Sequence, residues 1–183
     1  MGLTAPIIQA PMAGVQNHRL AAAVSNAGGL GSLPAAMLSA NDLQLQLQAL
    51  SQATNKPYNV NFFCHAQPTP DAAKESAWCQ RLRVKSWGST VLSSATTVDE
   101  AIWLQDHGAD AVIAQGLEAG GHRGMFLTSD VSTQMGSLAL LPQIARAVRV
   151  PVIAAGGIAS AAGVQAAKAL GAAAVQIGTA YLC

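Results

Sequence analysis

The apolar run Asp110-Ala-Val-Ile-Ala114 opens directly into Gln115-Gly-Leu-Glu-Ala-Gly-Gly-His-Arg-Gly124. A short run with no polar alternation reads as a strand buried on both faces. The loop behind it is rich in glycine, so its backbone N–H groups can approach a ligand without any Cβ in the way. The same pattern recurs at Pro151-Val-Ile-Ala-Ala155, which ends in Gly156-Gly157, and at Ala174-Val-Gln-Ile177, which ends in Gly178-Thr179. Buried strands separated by helix-length segments must pair in parallel through crossovers.

Earlier in the chain the alternation continues. Ile7 and Ile8 are the heart of a first strand, broken by Pro11 and Gly14. A short helix over Leu20 to Ala27 is ended by Gly28-Gly29. Leu30 to Leu33 forms a second strand, and Leu43, Leu47 and Leu50 mark a helix from Ala40 to Ala53. Asn41 or Asp42 is expected to cap that helix, with its glutamines on a solvated face. Tyr58 to Phe63 is a third strand that delivers Asn61 near its end, and Ser89 to Ser94 is strand-like. Thr97 or Asp99 caps a helix running to His107-Gly108, and further helices cover Leu138 to Val148 and Ala161 to Leu170. The stretch from His65 to Lys85 is the least regular, with Pro68, Pro70 and a weakly helical run from Asp71 to Trp78.

This order predicts an α/β barrel of the (β/α)8 type in a single domain. The competing doubly wound sheet announces itself with a Gly-x-Gly-x-x-Gly turn after its first strand, and none follows Ile8. In such barrels the site is built by loops at the carboxyl ends of the strands. His122 stands on one of those loops, where an ionisable ring beside bare backbone suits proton transfer. Gly156-Gly157 and the run Gln176-Ile177-Gly178-Thr179 suit a phosphate, held by N–H groups and a hydroxyl on two late strands.

Composition narrows the partners. Charged residues make up 10% of the 183 and the net charge is +1, so nothing draws the chain to nucleic acid or an anionic membrane. No apolar stretch approaches the roughly 20 residues of a membrane helix. The N-terminus lacks a basic segment followed by an apolar signal core, which predicts a cytoplasmic protein. Cys64, Cys79 and Cys183 have neither disulfide nor zinc-ligand spacing.

The segments PIIQAPMAGV, AAAVSNAGGLGSL, NVNFF, SSATTVDEA, DAVIAQGLEAGGHRG, PVIAAGGI and AVQIGTAYL resemble, in order, the motifs of nitronate monooxygenases, formerly 2-nitropropane dioxygenases. The resemblance implies an FMN-binding barrel that oxidises alkyl nitronates, and in some members neutral nitroalkanes, with O2 to carbonyl compounds and nitrite. It implies that Asn61 contacts the flavin and that Gln115 and Gly120 approach the isoalloxazine and ribityl portion. Gly157, Gln176, Ile177, Gly178 and Thr179 match the family's phosphate grip, and His122 matches its catalytic base. Two alternatives accompany this reading: an FMN-dependent enoyl-acyl-carrier-protein reductase, and a non-catalytic barrel fragment.

Against the family pattern the chain lacks a fourth-strand region between Trp78 and Leu92 and stops after its last strand. Seven strands are therefore expected, with Leu82 to Lys85 as a substitute for the eighth or an incomplete barrel, which leaves pairing with another chain open. Of the remaining histidines, His65 is a loop residue near the pocket, His107 caps helix carbonyls and His18 starts a helix exposed. Glu118 is expected to make a structural hydrogen bond, and Trp87 and Trp103 to pack.

Overall fold

A computed structural model describes residues 2–63 and 88–182. The sequence readings at Cys64, His65, Cys79, Trp87 and Cys183, the helix Asp71 to Trp78, and the substitute strand Leu82 to Lys85 lie outside them. The elements run β1 (Ile7–Gln9), α1 (His18–Asn26), β2 (Gly31–Pro34), α2 (Ala40–Ala53), β3 (Tyr58–Asn61), β4 (Leu92–Ala95), α3 (Val98–Asp106), β5 (Ala111–Gln115), α4 (Ser137–Ala147), β6 (Val152–Ala155), α5 (Ala161–Ala169) and β7 (Ala174–Ile177).

All pairings are parallel. Five strands form one sheet in the order β1-β7-β6-β5-β4, and β2 pairs with β3. A parallel bridge from Ile8 to Leu30 carries the pairing from β1 to β2. Read round, the order is β3-β2-β1-β7-β6-β5-β4, the cyclic neighbour sequence of a (β/α) barrel. Among the described residues no pairing joins β3 to β4.

Both faces of β5 and β6 are buried along their apolar runs, whereas every residue of β3 is half-buried. Ile8, Leu30, Ala111, Ile113, Ile153 and Ala155 meet in one cluster inside the barrel. Val112, Ala114, Val152, Ala154 and Val175 face the other way and pack against Leu140, Leu141 and Ile144 of α4 and Ala101 and Leu104 of α3. A third cluster joins Ala21 and Ala22 of α1 to Leu33 and Leu50. Burying each of the larger side chains contributes about 1.5–3 kcal/mol.

The helix starts correct two expectations. The cap of α2 is Ser39, whose Oγ accepts from the Asp42 N–H while its hydroxyl donates to the Asp42 carboxylate. Asn41 and Asp42 lie inside the helix instead, because Ser39, two residues before Asn41 and in extended conformation, already closes the first turn. His18 does open α1 but is half-buried, and its N–H donates to Gln46 Oε1 at 3.0 Å with Nδ1 2.9 Å from the same oxygen. That contact takes Gln46 out of the solvated face. Thr97 caps α3 as expected, and His107 Nδ1 lies 2.7 Å from the Trp103 carbonyl oxygen with the two rings stacked at 3.6 Å.

Candidate functional site

Register places the carboxyl ends of the strands side by side. Gln115 pairs with Ala155, Ala155 with Gln176, and Gln9 with Ile177. Side chains alternate along a strand, so Gln115 and Gln176 point to the same side as the interior residues Ile113 and Ala174 two positions before them. Ser94, two residues beyond the interior-facing Leu92, joins them. These polar groups form a layer above the apolar interior. Asn61 ends β3 half-buried, its carbonyl accepting from the Ala35 N–H.

The His122 loop leaves β5 at this layer and is held by side chains rather than by regular structure. Gln115 Nε2 donates to the His122 carbonyl at 2.9 Å, and Gln115 Oε1 accepts from the Gly124 N–H at 2.6 Å. One amide thus clamps both sides of residue 123. The Arg123 guanidinium turns back and donates to the Gly116 and Leu117 carbonyls at 3.0 and 2.8 Å. His122 itself is exposed, with its ring against Phe63 at a centroid distance of 4.9 Å and a tilt of 43°. Among the described residues, nothing lies within 4 Å of a Cβ placed on Gly120 or Gly121, so none of them crowds the backbone beside the imidazole.

Glu118, expected to make a structural bond, caps α4. Gly136 at the N-cap has no side chain to offer, and the Glu118 carboxylate accepts from the Ser137 N–H and hydroxyl, each at 2.8 Å. Ser137 Oγ in turn lies 3.0 Å from the Gly156 carbonyl oxygen. Burial pushes the Glu118 pKa up, but hydrogen bonds from its own N–H and from Ser137, with Arg123 nearby, outweigh this and hold it below the ordinary value. The loop after β5 is thereby tied to the loop after β6. The tie is close at Gly156, whose φ is +117° and where a Cβ would lie 2.9 Å from the Ala119 nitrogen.

Gly157 and Gly178 stand at the neighbouring ends of β6 and β7. Gly157 is exposed and Gly178 half-buried beside Ala10 and Met12 of the loop after β1. Gln176 and Ile177 lie within β7, and Thr179 begins the short 3-10 turn Thr179–Tyr181. The expected residues on β5, β6 and β7 are therefore brought together. Asn61 lies across the barrel, on the β2–β3 side.

Exposed apolar side chains stand on the loops that follow the strands: Val15 after β1, Met37 after β2, Phe62 after β3 and Leu117 after β5. Two further buried polar groups were missed from sequence. Gln9 is fully buried at the end of β1, where Oε1 accepts from the Ser32 N–H at 2.9 Å and Nε2 donates to the Ala10 carbonyl and to Gln16 Oε1. Glu100 is also fully buried. Its place in T-V-D-E was a signal for a helix cap, but nothing local indicated its second set of partners. No helix among the described residues is long and apolar enough to cross a membrane.

The family model for nitronate monooxygenase matches residues 1–86 and 79–183. The nitronate monooxygenase of Paraburkholderia phytofirmans is 37% identical over 235 aligned positions, covering 100% of this chain and 64% of the relative. That of Pseudomonas aeruginosa is also 37% identical, over 100% of this chain and 67% of its own length. The chain thus spans about two thirds of the curated relatives it matches. Among solved structures it is similar to a nitroalkane oxidase from Streptomyces ansochromogenes, with a TM-score of 0.85 and 35% identity over 99% of this chain and 67% of that one. FabK from Thermotoga maritima aligns with a TM-score of 0.80 and 34% identity, over 98% and 60% of the two chains.

Proposed function

The chain belongs to the nitronate monooxygenase family, and on that footing we propose that it is an FMN-dependent oxidoreductase. Its substrates are alkyl nitronates and neutral nitroalkanes, with O2 as co-substrate and a carbonyl compound and nitrite as products. The observation that supports this best is the side-by-side register of Gln115, Ala155 and Gln176, which groups the His122 loop with the glycine turns after β6 and β7.

The residues present fit a flavin mononucleotide. No described residue crowds the Cβ-free backbone at Gly120, the inward polar layer can hydrogen-bond a heterocycle, and two adjacent strand ends carry Gly157 and Gly178-Thr179. Gly157, Gln176, Ile177, Gly178 and Thr179 would hold the phosphate, and Asn61, Gln115 and Gly120 the ring and ribityl chain. FMN, when bound, supplies the electron-transfer and oxygen chemistry.

The chain's own step is proton transfer. His122, as neutral imidazole, takes the α-proton of a nitroalkane. The C–H bond breaks, its electron pair enters the carbon–nitrogen bond of the nitronate, and the proton stays on the ring. A nitronate supplied ready-made needs no such step. Val15, Met37, Phe62 and Leu117 around the mouth favour an alkyl substituent and keep water from it.

The proposal includes a shortened barrel that lacks the fourth-strand region. Two matches to one family model that meet over residues 79–86 support this, as does an alignment of 235 positions against a chain of 183 residues. The test is spectroscopic first. Purified protein mixed with FMN should retain flavin absorbance through gel filtration and consume oxygen with propyl nitronate. Protein that stays colourless refutes the reading, and NAD(P)H oxidation with an enoyl thioester in place of oxygen uptake would reassign it to the reductase alternative.

A further inference from the structure

Glu100 carries the part of this molecule that the proposed chemistry leaves unused. It is a carboxylate with no exposed surface, placed at the third residue of α3. In a capping box a glutamate there reaches back to the N–H of the cap residue. Here the Glu100 N–H does donate to Thr97 Oγ1 at 3.2 Å, but the carboxylate bypasses the Thr97 N–H. Oε2 accepts from the Thr96 N–H at 2.7 Å and the Thr96 hydroxyl at 2.8 Å. Oε1 leaves the helix altogether and accepts from the N–H groups of Phe126 and Leu127, at 2.6 and 3.2 Å.

Four donors and the positive end of α3 satisfy the charge of this buried group. Two of those donors belong to the loop that bears His122. Gln115 grips that loop at the His122 carbonyl and the Gly124 N–H, and Glu100 grips it again two residues later. The chain on either side of Met125 is therefore anchored to two different strand–helix units, β5 behind it and the β4–α3 junction beyond.

We infer that Glu100 is a positioning residue for His122: by binding Phe126 and Leu127 it sets the path of the loop and hence the place of the imidazole over the substrate. The inference rests on the reading of His122 as the base for neutral nitroalkanes. Glu100→Gln keeps the size of the side chain, but its NH2 group meets N–H donors: turned to the loop it loses both bonds to Phe126 and Leu127, and turned to Thr96 it leaves the loop an amide oxygen, a weaker acceptor than a carboxylate.

The experiment uses FMN-loaded protein and two probes, 2-nitropropane and its preformed nitronate. In E100Q the ratio of kcat on the nitroalkane to kcat on the nitronate should fall about tenfold, since a small misplacement of a base is costly only where a proton is moved. Amide hydrogen exchange over residues 122–127 should accelerate in the same variant. Thr97→Ala breaks the cap of α3 without touching the carboxylate's own bonds and should leave the ratio unchanged. Where E100Q does not fold, Leu127→Pro removes one loop donor from the other side and should lower the ratio in its place. Equal loss on both substrates, unchanged exchange at 122–127, or a T97A shift as large as that of E100Q overturns the inference. A wild-type protein that binds FMN but turns over neither substrate, or a His122→Asn variant that keeps full nitroalkane turnover, sinks the functional reading itself, and faster exchange in E100Q would then mark Glu100 as structural only.

Discussion

The Glu118 carboxylate lies 2.8 Å from the backbone nitrogen of Ser137, closing the first turn of α4 from 19 residues away in the chain. An acceptor at a helix N-terminus satisfies an orphan N–H and meets the positive end of the dipole. The link has a pH signature. The folded-state pKa of Glu118 is below its ordinary value of 4.5, so its contribution is present above that value and lost as pH falls through the lower folded one. Glu118→Gln should flatten the acid limb of a melting-temperature profile. At neutral pH it should cost about 0.5–1 kcal/mol, a small amount because the carboxylate is exposed.

His122→Asn removes the base and keeps a polar side chain of similar reach. Turnover of a neutral nitroalkane should drop by about 10²–10⁴-fold, while oxidation of the preformed nitronate changes far less. Steady-state oxygen uptake with each substrate checks this, and retained flavin absorbance shows that the pocket survives.

Gly116→Ala tests how tightly the β5 loop is seated. A Cβ at this position would lie 2.1 Å from Ser137 Oγ, 2.6 Å from Ser137 N and 2.7 Å from Glu118 Oε2. Accommodating it means parting the cap, at a cost of about 1–3 kcal/mol. A urea titration at neutral pH measures it, and E118Q should blunt the loss because the two changes strike one contact.

Leu140 and Leu138 are neighbours in α4 with opposite fates. Leu140 is fully buried against the strands, so Leu140→Ala should destabilise by about 2–5 kcal/mol. Leu138 is exposed, and Leu138→Ala should stay within about 0.5 kcal/mol. Thermal melts of the two variants read the difference directly.

The order of strands and helices could be read from residue pattern. A run such as Pro151-Val-Ile-Ala-Ala155 is apolar on every residue, which only a strand covered on both faces tolerates, and glycines at its end turn the chain whatever lies around it. The strands expected at Ile7–Ile8, Leu30–Leu33, Tyr58–Phe63, Asp110–Ala114, Pro151–Ala155 and Ala174–Thr179 were found near those bounds, and the one expected at Ser89–Ser94 begins three residues later, at Leu92. Family likeness placed His122 on its loop, and the fold brought that loop beside the glycine turns of β6 and β7. The side-chain partners could not be read. Ser39 took the cap of α2 from Asn41 and Asp42 by one turn of backbone conformation, and Gln46 met His18 only because α1 and α2 lie side by side.

Periodicity, turn chemistry and apolar burial act between residues close in the chain, so the letters alone dictated a parallel α/β barrel with its loops at one end. Gln115 on Gly124, Glu118 on Ser137 and Glu100 on Phe126 are a different kind of fact. Each hydrogen bond needs two groups placed to within a few tenths of an ångström, and across 9, 19 and 26 residues that placement exists only once the strands have assembled.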